Sequence, residues 1–274
     1  MSKQVQSRRV TVPAIRALKG REKIVCLTAY TAPVAAALDP HVDVLLVGDS
    51  LGMVVHGLPT PTAVTLEMMI LHGQAVVRGS SHAMVVVDLP FGTFEGSPEQ
   101  AFAASVRVMK ETGCQAVKIE AGEGLAGTIA FLVQRGVPVM GHVGLRPQAV
   151  HIDGGFKAKG RNDDERARVI AEARAAEDAG CFAIVLEGVS EELAQEITRI
   201  VRVPTIGIGA SPHCDGQILV TDDMLGVFEW APKFVRRYAD LRTIITEAVS
   251  RYAADVRAGT FPGADEVYRF KSKD

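Results

Sequence analysis

Short apolar runs rich in β-branched residues recur along the chain, separated by longer segments with helical spacing. The runs are IVCLTA (24–29), DVLLVG (43–48), AMVVVDL (83–89), QAVKIE (115–120), PVMGHVG (138–144), FAIVLEG (182–188) and VPTIGIG (203–209), with a weaker one at GQILV (216–220). Runs that stay apolar at successive positions read as strands covered on both faces, as in a parallel sheet. The segments between them carry helix boundaries. Thr65 opens a helical pattern that closes near Gly79, and Ser97-Pro98-Glu99 opens another that stops at Gly113. A Ser or Thr cap, Pro in the first turn and Gly past the end are the residues that helix termini need. DDERARVIAEARAAEDAG ends at Gly180, and Ser190 opens SEELAQEITRIVR.

The order is therefore strand, helix, strand, helix, which fits either an open doubly wound sheet or a closed (β/α)8 TIM barrel. A dinucleotide-binding sheet requires GxGxxG after its first strand. Here TAYTAP follows instead, and the 274 residues match the barrel's typical size of about 250. The expected architecture is one barrel domain over 1–274, with a short N-terminal helix near 11–19 capped by Thr11 and a C-terminal helical tail. That N-terminal helix is expected to close the barrel bottom. Segment 153–165, DGGFKAKGRNDDE, reads as a mobile loop after the fifth strand.

Composition narrows the function. The chain is 47% hydrophobic and 23% charged, with 30 basic against 32 acidic side chains. That balance leaves no electrostatic footprint for nucleic acid or for an anionic membrane surface. No run reaches the roughly 18 apolar residues of a membrane span. The N-terminus, MSKQVQSRRVTVPAI, has charge but no apolar leader core. Cys26, Cys114, Cys181 and Cys214 form no CxxC pair, which disfavours a cysteine zinc site and fits a reducing compartment. Cytoplasm is the expected location.

Polar residues collect where strands end. Asp49 and Ser50 follow the second strand, Asp88 ends the third, Lys118 and Glu120 the fourth, His142 the fifth and Glu187 the sixth. In a parallel barrel these ends meet at one mouth, where active sites lie. Asp49, Asp88 and Glu120 supply hard oxygen ligands of the kind Mg2+ takes, though spacing does not separate magnesium from manganese. Taken singly, Asp49 also reads as a turn cap and Asp88 as a backbone acceptor before Pro90. Lys118 and Glu120 are two apart and share a strand face. Lys118 suits a substrate carboxylate; the plainer alternative is a structural Lys118–Glu120 ion pair. Glu187, approached through apolar FAIVL, suits a general base, or equally an anion at the helix start near Ser190.

His142 reads either as an oxyanion donor or as a satisfied core histidine. The GIGA…DGQ stretch (207–217) resembles a phosphate-binding turn, a weak signal by itself. Thr28 and Tyr30 are placed to line the mouth. His56, His72, His82, His151 and His213 show no ligand spacing and read as ordinary surface or helix residues. Together these parts suit abstraction of a proton beside a carbonyl, with a divalent metal stabilising the enolate.

VGDSLGMVVHG (47–57), VVDLPFG (86–92), VKIEAG (117–122), PVMGHVGLRPQ (138–148), GGFKAKGR (154–161), VLEGVS (185–190) and GIGASPHCDGQILV (207–220) closely resemble the ketopantoate hydroxymethyltransferase family. The resemblance runs in order from about Lys23 to Lys233. It implies a (β/α)8 barrel of the phosphoenolpyruvate mutase/isocitrate lyase-like superfamily. It also implies transfer of a hydroxymethyl group from the co-substrate 5,10-methylenetetrahydrofolate to the 2-oxoacid 3-methyl-2-oxobutanoate, giving 2-dehydropantoate in pantothenate biosynthesis. By the same resemblance Mg2+ falls on Asp49, Asp88 and Glu120, the oxoacid on Asp49, Ser50, Asp88 and Lys118, and the proton acceptor on Glu187. His142 matches a histidine near the substrate. Members are cytoplasmic and commonly homodecamers. Thr31, Ser211, the LEGVS sequence and ADEVY (264–268) depart from the usual pattern. Two alternatives are a magnesium-dependent C–C lyase or mutase of the related barrels, and a non-catalytic oxoacid-binding barrel.

Overall fold

The computed structural model describes residues 9–122 and 124–270. Residues 1–8, half of the segment read above as lacking a leader core, lie outside the described residues. Eight parallel strands close into a barrel in sequence order. They are β1 (Ile24–Thr28), β2 (Val44–Val47), β3 (Met84–Asp88), β4 (Ala116–Glu120), β5 (Val139–Gly144), β6 (Ala183–Glu187), β7 (Thr205–Ile208) and β8 (Gly216–Leu219). β8 pairs with β1 through Gly216 opposite Ile24 and Ile218 opposite Cys26, which completes the ring. The seven strong runs and the weak eighth all become strands.

The helices are α1 (Val12–Ala17), α2 (Ala32–Leu38), α3 (Leu51–Val54), α4 (Leu66–Gly79), α5 (Pro98–Thr112), α6 (Ala126–Gln134), α7 (Val150–Asp153), α8 (Asp163–Asp178), α9 (Glu191–Ile200), α10 (Thr221–Met224) and α11 (Leu241–Ala258). The sequence caps act as expected. Thr65, Ser97 and Ser190 each accept a backbone N–H from the residue three further on. Gly113 closes α5 at φ 79°, a left-handed conformation that glycine adopts without steric cost. α4 runs through Gly79, so Ser80 rather than Gly79 caps it.

Period-two alternation along the strands sorts side chains into two cores. Val85, Val87, Val117, Ile119, Ile184 and Leu186 face outward and pack with helix residues such as Val108, Ile129 and Leu193. Ile24, Val44, Leu46, Met84, Val86, Ala116, Met140 and Val185 face inward and fill the barrel. Ile15 of α1 is fully buried with the inner set, so α1 packs against the barrel interior.

One connection breaks the alternation. No helix lies between β7 and β8; residues 209–215 return in an irregular crossover. Asp215 staples this crossover, accepting from Thr205 N at 2.9 Å, Gly20 N at 3.2 Å and Lys19 Nζ at 2.8 Å. Asp215 therefore sits at the N-terminal end of the barrel, opposite the mouth. The GIGA and DGQ parts of the expected phosphate turn lie at opposite ends, and only GIGA follows a strand's C-terminus.

The chain divides into two compact units, 1–221 and 222–274. The second contains α11, whose 18 residues include none that is buried.

Candidate active site

The inward parity that places Val86, Ala116, Met140 and Val185 in the barrel carries on to the strand ends. It brings Asp88, Lys118, Glu120, His142 and Glu187 to the mouth. Register sets neighbours: Asp88 lies opposite Lys118, and Glu120 opposite His142. Asp49 and Ser50 come from the turn between β2 and α3. Asp49, Asp88, Lys118, Glu120 and His142 are all buried, whereas the Glu187 side chain remains 19% exposed.

Four of these groups form a contact line across the four strands β3 to β6. Lys118 Nζ lies 3.1 Å from Asp88 Oδ1 and 3.3 Å from His142 Nδ1. His142 Nε2 lies 3.2 Å from Glu187 Oε2. The lysine's ion-pair partner is thus Asp88, not the Glu120 on its own strand. With the ammonium donating to Nδ1, the imidazole carries its proton on Nε2, toward Glu187; this tautomer follows from the network. His142 is therefore the link between the cation and the rim carboxylate, a larger part than its local sequence indicates.

A second network lies beside the first. Asp88 Oδ2 accepts the Asp49 backbone N–H at 3.0 Å. Asp49 Oδ2 accepts from Gln148 Nε2 at 2.8 Å, and Glu120 Oε1 from the Gln148 backbone N–H at 3.1 Å. Ser50 Oγ and Tyr30 Oη are 2.8 Å apart, which brings Tyr30 to the mouth. Thr28 instead locks backbone, accepting Thr221 N–H on its hydroxyl while its carbonyl takes the Thr221 hydroxyl.

Charge in this site is unbalanced. Burial pushes Asp88 above the usual carboxylate range, against the pull of Lys118 and with added repulsion from Asp49. Burial also raises Glu120 well above its ordinary value, reinforced by Asp49. Burial opposes the charge on Lys118, but Asp88, Asp49 and Glu120 outweigh it and raise its pKa. Burial, then Lys118, lowers His142, which favours the neutral imidazole. Asp88 Oδ1, His142 Nε2, Arg146 Nε and Gln148 Oε1 are buried without an aligned hydrogen-bond partner. Native proteins leave few such atoms.

That donor set fits a divalent cation of the Mg2+ kind. Among the described residues no three His, Cys, Asp or Glu side chains form a ready-made metal cage. Mg2+ needs none: it takes one or two carboxylates and fills its shell with water and substrate oxygens. Three buried carboxylates against one lysine leave negative charge for it to neutralise.

The segment after β5 is anchored where the sequence suggested a mobile loop. Lys159 bridges to Val189, donates its backbone N–H to Gly188 O at 2.8 Å, and pairs with Asp153 at 2.7 Å. The anchor lies directly beyond Glu187. His72, one of the histidines read as ordinary, is within hydrogen-bond distance of the Tyr30 carbonyl through Nδ1 and of His56 Nε2 through its own Nε2. Gln148 gave no signal in the sequence beyond its place in the GLRPQ string, because a neutral amide has no spacing signature.

The sequence profile of ketopantoate hydroxymethyltransferase matches residues 9–264. The chain belongs to that family. A 3-methyl-2-oxobutanoate hydroxymethyltransferase of Hyphomonas neptunium is 67% identical over 273 residues, covering 100% of this chain and 99% of the relative. One from Phenylobacterium zucineum is 66% identical, covering 97% and 96%. One from Agrobacterium fabrum is 57% identical, covering 99% and 98%. Among solved structures, a phosphonopyruvate hydrolase superposes with TM-score 0.62 at 14% identity, covering 95% of this chain and 92% of its own. A 2,3-dimethylmalate lyase of the PEP mutase/isocitrate lyase superfamily superposes with TM-score 0.59 at 18% identity, covering 94% and 91%. These structures share the ketopantoate hydroxymethyltransferase barrel at the level of fold. Of the family departures, Thr31 precedes α2, Ser190 of LEGVS caps α9 and Ser211 is buried in the β7–β8 crossover, whereas Gly188 of LEGVS directly follows Glu187.

Proposed function

We propose that this chain transfers a hydroxymethyl group from 5,10-methylenetetrahydrofolate to 3-methyl-2-oxobutanoate, with Mg2+ held by Asp49, Asp88 and Glu120. Membership of the family supports the hydroxymethyl transfer itself. The observation that carries the residue roles is the unbroken line Asp88–Lys118–His142–Glu187 at the barrel mouth.

Lys118 and Ser50 bind the oxoacid carboxylate, the buried ammonium supplying the charge that a desolvated anion requires. Bound to the three carboxylates, the cation supplies positive charge where negative charge builds on the 2-oxo oxygen. Glu187, open to the mouth, takes the proton from C3 as the C3–H bond breaks and its electron pair moves toward the carbonyl. His142, neutral, faces Glu187 Oε2 at 3.2 Å from the buried side. A new C–C bond then forms between C3 and the donor's methylene carbon as the two bonds from that carbon to the folate nitrogens break. Water supplies the hydroxyl, and its remaining proton and the one taken from C3 go to the two nitrogens, so the products are 2-dehydropantoate and tetrahydrofolate. Removing a positioned base lowers turnover by about 10²–10⁴-fold, the expected result for Glu187→Gln.

Four free, buried cysteines support a cytoplasmic setting. No helix among the described residues is long and apolar enough to cross a membrane. An exposed apolar stripe on α11 supports a homo-oligomer, with the family's decamer as the expected state.

A proton-NMR time course in D2O tests the reading, with protein, oxoacid, Mg2+ and methylenetetrahydrofolate beside an EDTA-treated control. The expected result is a hydroxymethyl signal that requires the metal. Loss of the C3 proton signal without product would leave an enolising barrel with another electrophile. No change in folded protein would overturn the reading.

A further inference from the structure

Gln148 sits in the single turn Pro147–Ala149 after β5 and is 7% exposed. Its side-chain amide donates to Asp49 Oδ2 at 2.8 Å and to the Leu89 carbonyl at 3.0 Å. Its backbone N–H donates to Glu120 Oε1 at 3.1 Å. One uncharged residue therefore ties together the turn after β2, the end of β3 and the end of β4. Pro147 begins this turn and fixes one backbone dihedral there, which helps aim the next N–H at Glu120.

The arrangement answers a physical problem of the site. Asp49, Asp88 and Glu120 are all buried, and the Asp49 charge disfavours the charged form of both Asp88 and Glu120. Neutral N–H donors favour the ionised carboxylate without adding a competing cation. A lysine or arginine in the same place would pair with Asp49 and neutralise the charge a metal needs. Gln148 holds one oxygen of Asp49 and one of Glu120, and leaves each carboxylate's other oxygen outside these bonds. Its own Oε1 is buried with no donor. A residue serving packing alone has no reason to keep an unpaired acceptor there.

We propose that Gln148 is a positioning residue for the divalent cation, orienting Asp49 and Glu120 for metal binding. The proposal rests on the reading of Asp49, Asp88 and Glu120 as the ligands. Outer residues that orient ligands change metal affinity by about 10–100-fold when replaced.

The test is direct binding of Mn2+ to the full chain, without oxoacid or folate, followed by the electron paramagnetic resonance signal of the free ion. Wild type, Asp49→Asn, Gln148→Met and Gln148→Asn are compared, each with a thermal melt in the absence of metal. Met keeps the length and volume of Gln but cannot donate; Asn keeps the amide but is one methylene too short to reach Asp49. Both are expected to weaken Mn2+ binding by about 10–100-fold. A purely structural role would lower the melting temperature and leave the affinity of the folded protein unchanged. Wild-type affinity in both Gln148 variants, with binding lost in Asp49→Asn, overturns this proposal alone. Failure of wild type to bind Mn2+ overturns the ligand reading, and this proposal with it. If Gln148→Met does not fold, Gln148→Asn decides.

Discussion

Lys118 is the only cation in the contact line at the mouth, and its surroundings make its removal measurable without substrate. It faces Asp88 at 3.1 Å, and both are buried. Lys118→Met would leave the Asp88 carboxylate buried and unpaired, at a cost of about 3–5 kcal/mol when charged. Burial raises Asp88 above its unfolded value already in the wild type. An acid with a raised folded pKa loses stability as pH rises from the unfolded value through the folded one. Without Lys118 the folded value rises further. Urea unfolding is expected to show the Lys118→Met deficit growing from acidic toward alkaline pH; a pH-independent deficit would assign the loss to packing instead. His142 is the residue whose weight the sequence understated. A lone histidine between Gly141 and Val143 carries no local mark of chemistry. Its significance arises only when β4 and β6 place Lys118 and Glu187 on either side of it.

At the scale of elements, one aspartate far from the mouth carries an unusual share of backbone. Asp39 accepts N–H groups from Ser81, His82 and Ala83 at the entrance to β3. Burial works to raise its pKa, but these donors together with Arg9 win and lower it. A lowered carboxylate contributes stability above its unfolded value, 3.8, that is lost as pH falls through the folded value. Asp39→Asn is therefore expected to cost about 1–3 kcal/mol near neutrality. The gap between the two proteins should narrow below about pH 4 in chemical unfolding; a gap that widens in acid would contradict the assignment. The strands were legible because burial on both faces writes an apolar run. β8 was faint because it is four residues long and opens on Gly216 and an exposed Gln217, which leaves only Ile218 and Leu219 as an apolar run. α6, AGTIAFLVQ, escaped notice because Leu125 at its start caps with no side chain and few polar residues mark a face. α2 lacks a side-chain cap as well. Gln148 was illegible for a different reason: its partners are 28, 59 and 99 positions away.

For the whole molecule, the conspicuous surface is on α11. Ile245, Val249, Tyr252 and Val256 recur at heptad-like spacing and are 49%, 58%, 56% and 46% exposed. A stripe of that size and regularity marks an interaction face. Placing charge on it with Val249→Glu and Tyr252→Glu is expected to lower the molar mass measured by light scattering after size exclusion. The barrel's circular dichroism should be unchanged. A wild-type mass of one chain would overturn the oligomer outright, and an unchanged mass in the double variant would move the interface elsewhere.

The period-two sorting of the strands has a consequence for how such a chain tolerates change. A substitution alters one side chain, but an inserted residue within Ala116–Glu120 shifts the phase of everything after it. Lys118 and Glu120 would trade places with Val117 and Ile119, turning the charged pair into the helix layer and the valine and isoleucine into the mouth. Every amino acid would still be present, in the same order, and the chemistry would be gone. A change of length is thus tolerable only in the connections, and the helix-free stretch at 209–215 shows how short one connection is while the strands on either side keep their phase.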